Sequence, residues 1–342
     1  MMTDQIIARV EGALGRITLN RPKALNALTT EMCVAMTEAL IAWESNPTVK
    51  AVLIDGAGDR AFCAGGDVVM LHDSGKAGDD RAETFWRTEY ALNELIHRYS
   101  KPYISLIDGI VMGGGVGLSV HGRYRVAGDT TLFAMPETGI GYFPDVGGTY
   151  FLPRLGLAVG NWLGLTGARL GPGACLTLGI ATHFVPSEHH TALIEALRGD
   201  VDVEETLNTF SQKLPNWPFP DAIEAFGKDS LQDIIDALNF VPTEWGAQQK
   251  KLMLRKSPLA MAVSLEAMKR GRDFDFRTAM TQELDLSLNF LSTQDFYEGI
   301  RAQLIDKDRN PQWSHASVAA VTADQIERLF RETANPRQEF LP

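Results

Sequence analysis

Two short apolar runs, each ended by glycine, limit this chain to few architectures. Lys50-Ala-Val-Leu-Ile-Asp55 stops at Gly56-Ala-Gly58, and Tyr103-Ile-Ser-Leu-Ile-Asp108 stops at Gly109 and again at Gly113-Gly114-Gly115. Short runs without polar alternation read as strands buried on both faces of a parallel sheet. Between them, Arg81 to Tyr99 places Phe85, Leu92, Leu95 and Ile96 on one side of a long amphipathic helix. Strand, helix and strand in that order predict an α/β layout. Upstream, Ile6 to Val10 and Arg16 to Leu19 flank a Gly12-to-Gly15 turn and read as a hairpin. Thr29 or Thr30 can cap a helix over Met32, Met36, Ala39, Leu40 and Trp43 that ends before Pro47.

Gly113 to Gly115 open a helix expected to run through His121, and strands follow around Tyr124 to Ala127 and Leu132 to Ala134. Met135-Pro-Glu-Thr-Gly-Ile-Gly-Tyr-Phe-Pro-Asp-Val-Gly-Gly148 is too rich in Gly and Pro for regular structure, and such loops usually serve a function. From about residue 156 to Leu341 the pattern is mostly helical. Pro215-Asn-Trp-Pro-Phe-Pro220 is the best internal boundary, and its aromatics predict docking onto a surface.

The 342 residues hold 32 Lys+Arg against 43 Asp+Glu, a formal charge of −11, so no basic field exists to gather nucleic acid. Cys33, Cys63 and Cys175 are three, far apart and free of any Cys-x-x-Cys pair, which argues against a disulfide framework and a zinc cage. The start, Met1 to Arg9, has an early acid and no long apolar core, and no membrane-length apolar run follows. The expectation is a cytoplasmic, untargeted protein with no membrane partner.

Ala61-Phe-Cys-Ala-Gly-Gly-Asp-Val68 sets adjacent glycines between a strand and a helix, and Gly113-Gly114-Gly115 repeats the arrangement. Two such helix starts can each offer a free N–H to one oxygen, the geometry that stabilises an oxyanion. Either turn alone is as readily explained by close helix-on-strand packing. Other signals fall short. Leu118 stands where a dinucleotide-binding Gly-x-Gly-x-x-Gly needs its third glycine, and His121 replaces the closing glycine of a nucleophile elbow around Ser119. His183, His189 and His190 lack metal-ligand spacing, and Cys63 reads as a small buried hydrophobe.

With these segments in view, the chain resembles the crotonase, or enoyl-CoA hydratase/isomerase, superfamily. Asn20-Arg-Pro-Lys-Ala-Leu-Asn-Ala-Leu28 is similar to the family's N-terminal loop, Ala61 to Val68 to its first oxyanion segment, and Ile107-Asp-Gly-Ile-Val-Met-Gly-Gly-Gly-Val-Gly117 to its second. The resemblance runs from about residue 5 to 190. It implies a spiral of ββα units, the crotonase fold shared with ClpP, over residues 1–200, and a helical C-terminal region over 201–342. It also implies that the N–H groups of Gly66 and Gly114 bind the carbonyl of an acyl-coenzyme A, with Lys23, Ala24, Leu25, Gly66, Asp67 and Val68 lining the site.

Hydratases of the family carry a glutamate at the position of Gly117 and a second at that of Glu137, and only the second is present. Asp145, eight residues after Glu137, resembles instead the branch that hydrolyses 3-hydroxyisobutyryl-CoA, a step of valine breakdown. So do the Glu89-Tyr90 pair, Gly113 to Gly122, and Asp295-Phe-Tyr-Glu-Gly-Ile-Arg-Ala-Gln-Leu-Ile-Asp-Lys-Asp308. Residues 199 to 256 carry little of the likeness. The resemblance makes Glu137 the nucleophile or general base, has Asp145 bind the substrate hydroxyl or assist proton transfer, and has Glu89 contact the substrate. It implies no metal or redox cofactor, coenzyme A being part of substrate and product, and association as a trimer or a multiple of one. Alternatives are an enoyl-CoA hydratase or isomerase, which Gly117 opposes, and a non-catalytic acyl-CoA-binding protein, which Glu137 and Asp145 together oppose.

Overall fold

In the computed structural model, which describes residues 4–220, 222–240, 243–334 and 336–340, the apolar runs become strands. β1 (Ile6–Glu11) and β2 (Leu14–Leu19) form the expected hairpin. They are followed by β3 (Ala51–Gly56), β4 (Ala61–Cys63), β5 (Tyr103–Ile107), β6 (Ile110–Met112), β7 (Tyr124–Ala127), β8 (Leu132–Ala134) and β9 (His183–Phe184). Met1, Met2 and Thr3, at the head of the segment read as untargeted, and Leu341, at the end of the helical region, lie outside the described residues.

Six strands form a sheet in the order β1-β2-β3-β5-β7-β9, and three form a second in the order β4-β6-β8. The β1–β2 pair is antiparallel and the other pairs are parallel. Each of β3–β4, β5–β6 and β7–β8 therefore sends its first strand to the larger sheet and its second to the smaller. A helical stretch follows each pair: Val68–Ala77 and Arg81–His97 after β4, Gly114–Gly117 after β6, and the 3₁₀ turn Glu137–Ile140 after β8. The result is the spiral of ββα units. The corner between β5 and β6 is only Asp108 and Gly109, and Gly109 takes φ +87°, a conformation open to glycine and few others.

The apolar runs lack alternation because both faces of the larger sheet are covered. Val52 and Ile54 of β3 and Tyr103 and Ile107 of β5 enter one buried cluster, while Ala51, Leu53, Ile104 and Leu106 enter a second beneath the helix His190–Leu197. Burying each such Leu or Ile contributes about 1.5–3 kcal/mol. The Thr29 hydroxyl accepts the Met32 N–H at 3.3 Å and caps the helix Thr30–Ser45, as expected.

Three local expectations need correction. The helix opened by the glycine triplet is regular only over Gly114–Gly117 and continues as turns towards His121, because the chain must reach β7 at Tyr124. The Gly- and Pro-rich loop contains the 3₁₀ turn Glu137–Ile140, and the helix Gly148–Arg154 starts at its last residue. The largely helical stretch after 156 adds β9, which pairs with β7. The docking expectation for Pro215 to Pro220 is met by Trp217, whose ring stacks on Trp162 with centroids 6.0 Å apart.

The C-terminal helices close over the spiral. Pro258–Gly271 packs on Gly148–Arg154 and Leu157–Thr166, Phe276–Phe290 lies along Arg81–His97, and Gln294–Ile300 lies against Val68–Ala77 and the turn Glu137–Ile140. Phe226, Phe290 and Phe296 share one buried cluster with Leu28, Trp86 and Phe133.

The N-terminal loop is tied to β4 by the buried side chain of Asn26, itself at φ +56°. Its Nδ2 donates to Ala57 O at 3.0 Å and to Ala61 O at 2.9 Å, and its Oδ1 accepts the Arg21 N–H at 3.0 Å. Asn26→Ala leaves three backbone groups without partners, and at about 1 kcal/mol per bond it should destabilise the fold by about 2–3 kcal/mol. Urea denaturation measures this, and a loss below about 0.5 kcal/mol, the usual size of a surface change, would contradict the role given to Asn26.

Candidate active site

β4 and β6 run parallel, with Ala61 opposite Ile110 and Cys63 opposite Val111, so their C-terminal ends share one edge. That edge is where parallel sheets of α/β proteins gather their ligands. Gly65 and Gly66 follow β4, Gly113 and Gly114 follow β6, and the two turns lie too near for side chains: a Cβ built on Gly113 would lie 3.3 Å from Gly65 Cα, and one on Gly65 3.9 Å from Gly114 N. The Leu28 N–H donates to Gly65 O at 2.8 Å and Leu28 O accepts the Asp67 N–H at 3.0 Å, which turns the intervening Gly66 N–H away from Leu28. Gly114 begins its helix, and the first N–H groups of a helix have no acceptor within it. Both donors therefore remain available to a ligand oxygen. Cys63, the last residue of β4, is no competing nucleophile, since burial pushes its thiol up to about 12.

A cavity of about 620 Å³ opens at this edge, and Ala24, Leu25, Gly66, Asp67, Val68, Glu89, Gly114, Glu137 and Asp145 all line it. Among the residues singled out for the site, Lys23 does not: it lies exposed on the turn Pro22–Ala24. Asp67 has structural work as well. Its carboxylate accepts the Met70 N–H at 3.3 Å, capping the helix Val68–Ala77, and lies 3.6 Å from Arg21 Nη2.

The three cavity carboxyls are nearly removed from water, with Glu89 2%, Glu137 6% and Asp145 7% exposed. Glu89 and Glu137 flank the second glycine turn: a Cβ on Gly114 would meet Glu89 Oε1 at 2.5 Å, and one on Gly113 would meet Glu137 Oε1 at 3.4 Å. Glu89 Oε1 and Glu137 Oε2 are buried without a hydrogen-bond partner. Burial, reinforced by the nearby Asp145 charge, raises the proton affinity of both well above the carboxylate range. Burial pushes Asp145 up to about 7, held back by the Tyr90 hydroxyl, which donates to Oδ2 at 2.9 Å. Like charges that share one buried cavity oppose each other's ionisation, so the site can hold a neutral acid beside a carboxylate.

The remaining lining is not singled out residue by residue in the sequence, although Tyr142, Phe296 and Gln303 stand in segments quoted from it. Trp86, Tyr142 and Phe296 make its apolar wall, and Arg169, Lys256 and Gln303 add polar groups. Burial draws the Lys256 ammonium down to about 8, and the charge of Glu137 opposes that fall. Lys256 sits within the stretch that carries little family likeness, and a single lysine before a Ser-Pro helix start has no distinguishing pattern. Around Gly117 the structure is full: a Cβ there would lie 2.8 Å from both Asn93 Nδ2 and Val146 Cβ. The place of a hydratase's first glutamate is thus occupied by neighbouring side chains. Ser119, its hydroxyl bonded to Gly115 O at 2.8 Å, is a packed residue.

These buried acids fix the sign of the pH dependence of stability. Their folded-state proton affinities are raised, so the folded protein binds more protons than the unfolded chain once pH exceeds the ordinary carboxylate values of about 4. The contribution of these acids to stability should be full below about pH 4 and be lost as pH rises through the values near 7 and 8 of Asp145 and of Glu283, a buried acid of the helix Phe276–Phe290. Denaturant titrations across this range should show a shallower fall for Asp145→Asn. An identical slope in that variant would count against the raised Asp145.

A family model for enoyl-CoA hydratase/isomerase matches residues 14–330. The chain is 44% identical over 338 residues to the mitochondrial 3-hydroxyisobutyryl-CoA hydrolase of Xenopus tropicalis, covering 95% of this chain and 88% of that protein. It is 40% identical over 351 residues to the mitochondrial protein of the same name from Homo sapiens, covering 98% and 91%. Among solved structures, a carnitinyl-CoA dehydratase from Mycobacterium thermoresistibile superposes with a TM-score of 0.93 at 40% identity, covering 99% of each chain. An enoyl-CoA hydratase from Rhodobacter sphaeroides 2.4.1 does so with 0.87 at 40% identity, covering 98% and 100%. The expectation of a cytoplasmic protein is corrected by these relatives, whose hydrolases are named as mitochondrial. Among the described residues no helix is long and apolar enough to cross a membrane. With the family model spanning most of its length and relatives above 40% identity along nearly all of it, the chain belongs to the enoyl-CoA hydratase/isomerase family.

Proposed function

We propose that this protein hydrolyses 3-hydroxyisobutyryl-CoA to 3-hydroxyisobutyrate and coenzyme A, a step of valine breakdown. The observation that carries the reading is the composition of one cavity: Glu137 and Asp145 are present, while the space beside Gly117 is filled by Asn93 and Val146. Adding water across a double bond in this family uses two glutamates, and here only one has room. The names of the relatives, at 39–44% identity over most of the chain, support the same substrate.

In this mechanism the thioester oxygen sits between the N–H groups of Gly66 and Gly114, which stabilise the negative charge that develops as the carbonyl carbon is attacked. Glu137 acts on that carbon, either by its own oxygen, giving an anhydride that water then opens, or by taking a proton from an attacking water. The new C–O bond replaces the C–S bond, and the departing thiolate takes up a proton. Asp145, kept partly ionised by Tyr90, accepts the hydrogen bond of the substrate 3-hydroxyl, and Glu89 donates from its protonated carboxyl. Each step uses groups of the chain and water, so the proposal calls for no metal or redox cofactor.

The two similar solved structures, named a carnitinyl-CoA dehydratase and an enoyl-CoA hydratase, favour a second reading, double-bond hydration. Free-thiol release from 3-hydroxyisobutyryl-CoA, followed beside the double-bond absorbance of crotonyl-CoA, separates the two. Thiol release without a change in crotonyl-CoA is expected, and loss of the double bond without thiol release would overturn the hydrolase. Glu137→Gln keeps the shape of the side chain and should reduce turnover by about 10²–10⁴-fold, the usual contribution of a positioned base, while coenzyme A still binds. Near-normal turnover in that variant would remove Glu137 from the mechanism.

A further inference from the structure

Of the buried polar side chains on helix Phe276–Phe290, Glu283 and Ser287 lie one turn apart and both reach the loop that presents Asp145. Glu283 accepts the Gly147 N–H on Oε2 at 2.7 Å and, on Oε1, the Thr149 N–H at 3.0 Å and the Thr149 hydroxyl at 2.5 Å. Ser287 Oγ donates to Glu283 O at 2.7 Å and lies 2.8 Å from Tyr90 Oη and 2.5 Å from Tyr142 Oη. Tyr90 in turn donates to Asp145 Oδ2 at 2.9 Å, and Tyr142 Oη stands 3.5 Å from the same oxygen. Asp145 is thus gripped from one helix in two ways, at its carboxylate through the tyrosines and through the backbone two residues beyond it.

The residue between the two grips is Val146, at φ +53°. A β-branched residue rarely enters that region, and such a conformation costs about 1–3 kcal/mol unless its surroundings hold it. His121 Nε2 bonds to Val146 O at 2.7 Å on one side and Glu283 takes the following N–H on the other. Releasing either would let the backbone relax and carry Asp145 with it.

We infer that Glu283 and Ser287 are positioning residues that hold the loop from Tyr142 to Thr149 so that the Asp145 carboxylate lines the cavity. The inference rests on the role assigned to Asp145 above. Glu283→Gln is a sharp probe, because an amide oxygen kept on Thr149 sets its NH₂ against the Gly147 N–H, donor facing donor, at the strained peptide itself.

The test compares Glu283→Gln, Asp145→Asn and the double variant by steady-state thiol release, coenzyme A binding and melting temperature. Glu283→Gln should lower kcat by about 10–100-fold, the cost of a misplaced catalytic group, with coenzyme A affinity retained. In the Asp145→Asn background it should cost nothing further, since residues acting through one group are not additive. An equal loss in both backgrounds would overturn the inference. Normal turnover of Asp145→Asn alone would overturn the assignment of Asp145 and the inference with it. Should Glu283→Gln not fold, Ser287→Ala is read in the same two backgrounds: a kcat loss that disappears with Asp145→Asn supports the inference, and equal losses, or none, overturn it.

Discussion

The parallel pairing of β4 with β6 is the contact on which the site depends. Because the strands run the same way, the two glycine turns that follow them emerge on one edge, and because glycine has no Cβ the turns can approach until a Cβ on Gly113 would lie only 3.3 Å from Gly65 Cα. Each turn alone is a common piece of backbone. Side by side they bring Gly66 and Gly114, whose N–H groups have no backbone acceptor among the described residues, to one edge of the cavity, which the N-terminal loop and the carboxyls also line. The larger sheet fixes that pairing at a distance, since the two-residue corner at Asp108 and Gly109 ties β6 to β5 and leaves it no freedom to slide.

Burial is the second determinant. Glu89, Glu137, Asp145 and Glu283 are all taken from water, and the proton affinity of each is raised mainly for that reason. Such groups oppose folding at neutral pH and persist because hydrogen bonds and chemistry compensate. They are not equivalent. Glu283 accepts three hydrogen bonds and serves the backbone, Asp145 accepts from a tyrosine and faces the cavity, and Glu89 and Glu137 each leave one oxygen unpartnered beside the glycine turns. An oxygen left without a partner in the protein is available to a ligand.

Relatives of this architecture are named for different reactions, and the glutamate that the resemblance to hydratases would place at Gly117 has no room here. Asn93 comes from helix Arg81–His97 and Val146 from the strained loop, and together they close on Gly117. Removing one glutamate would leave a vacancy, whereas here neighbouring side chains fill it, so the departure from the two-glutamate arrangement is built into the packing.

Much was legible in the sequence alone. The strands β3, β5, β7 and β8, the long helix, the Thr29 cap and the two glycine turns follow from local patterns, because apolar runs, capping residues and glycine act within a few residues of themselves. Gly66 and Gly114 stand in those patterns, whereas Glu89, Glu137 and Asp145 were named through the family resemblance, as was Lys23, whose side chain lies outside the cavity. What only the tertiary structure decided comes from residues distant in sequence. Lys256, in the bend before the helix Pro258–Gly271, and Phe296 and Gln303 reach the cavity from more than a hundred residues after the glycine turns, and Glu283 grips Gly147 and Thr149 across more than 130 residues. A buried carboxylate on an amphipathic helix has the same local signature as a solvated one. Its partners are set by which helices pack together, and that is a property of the whole fold.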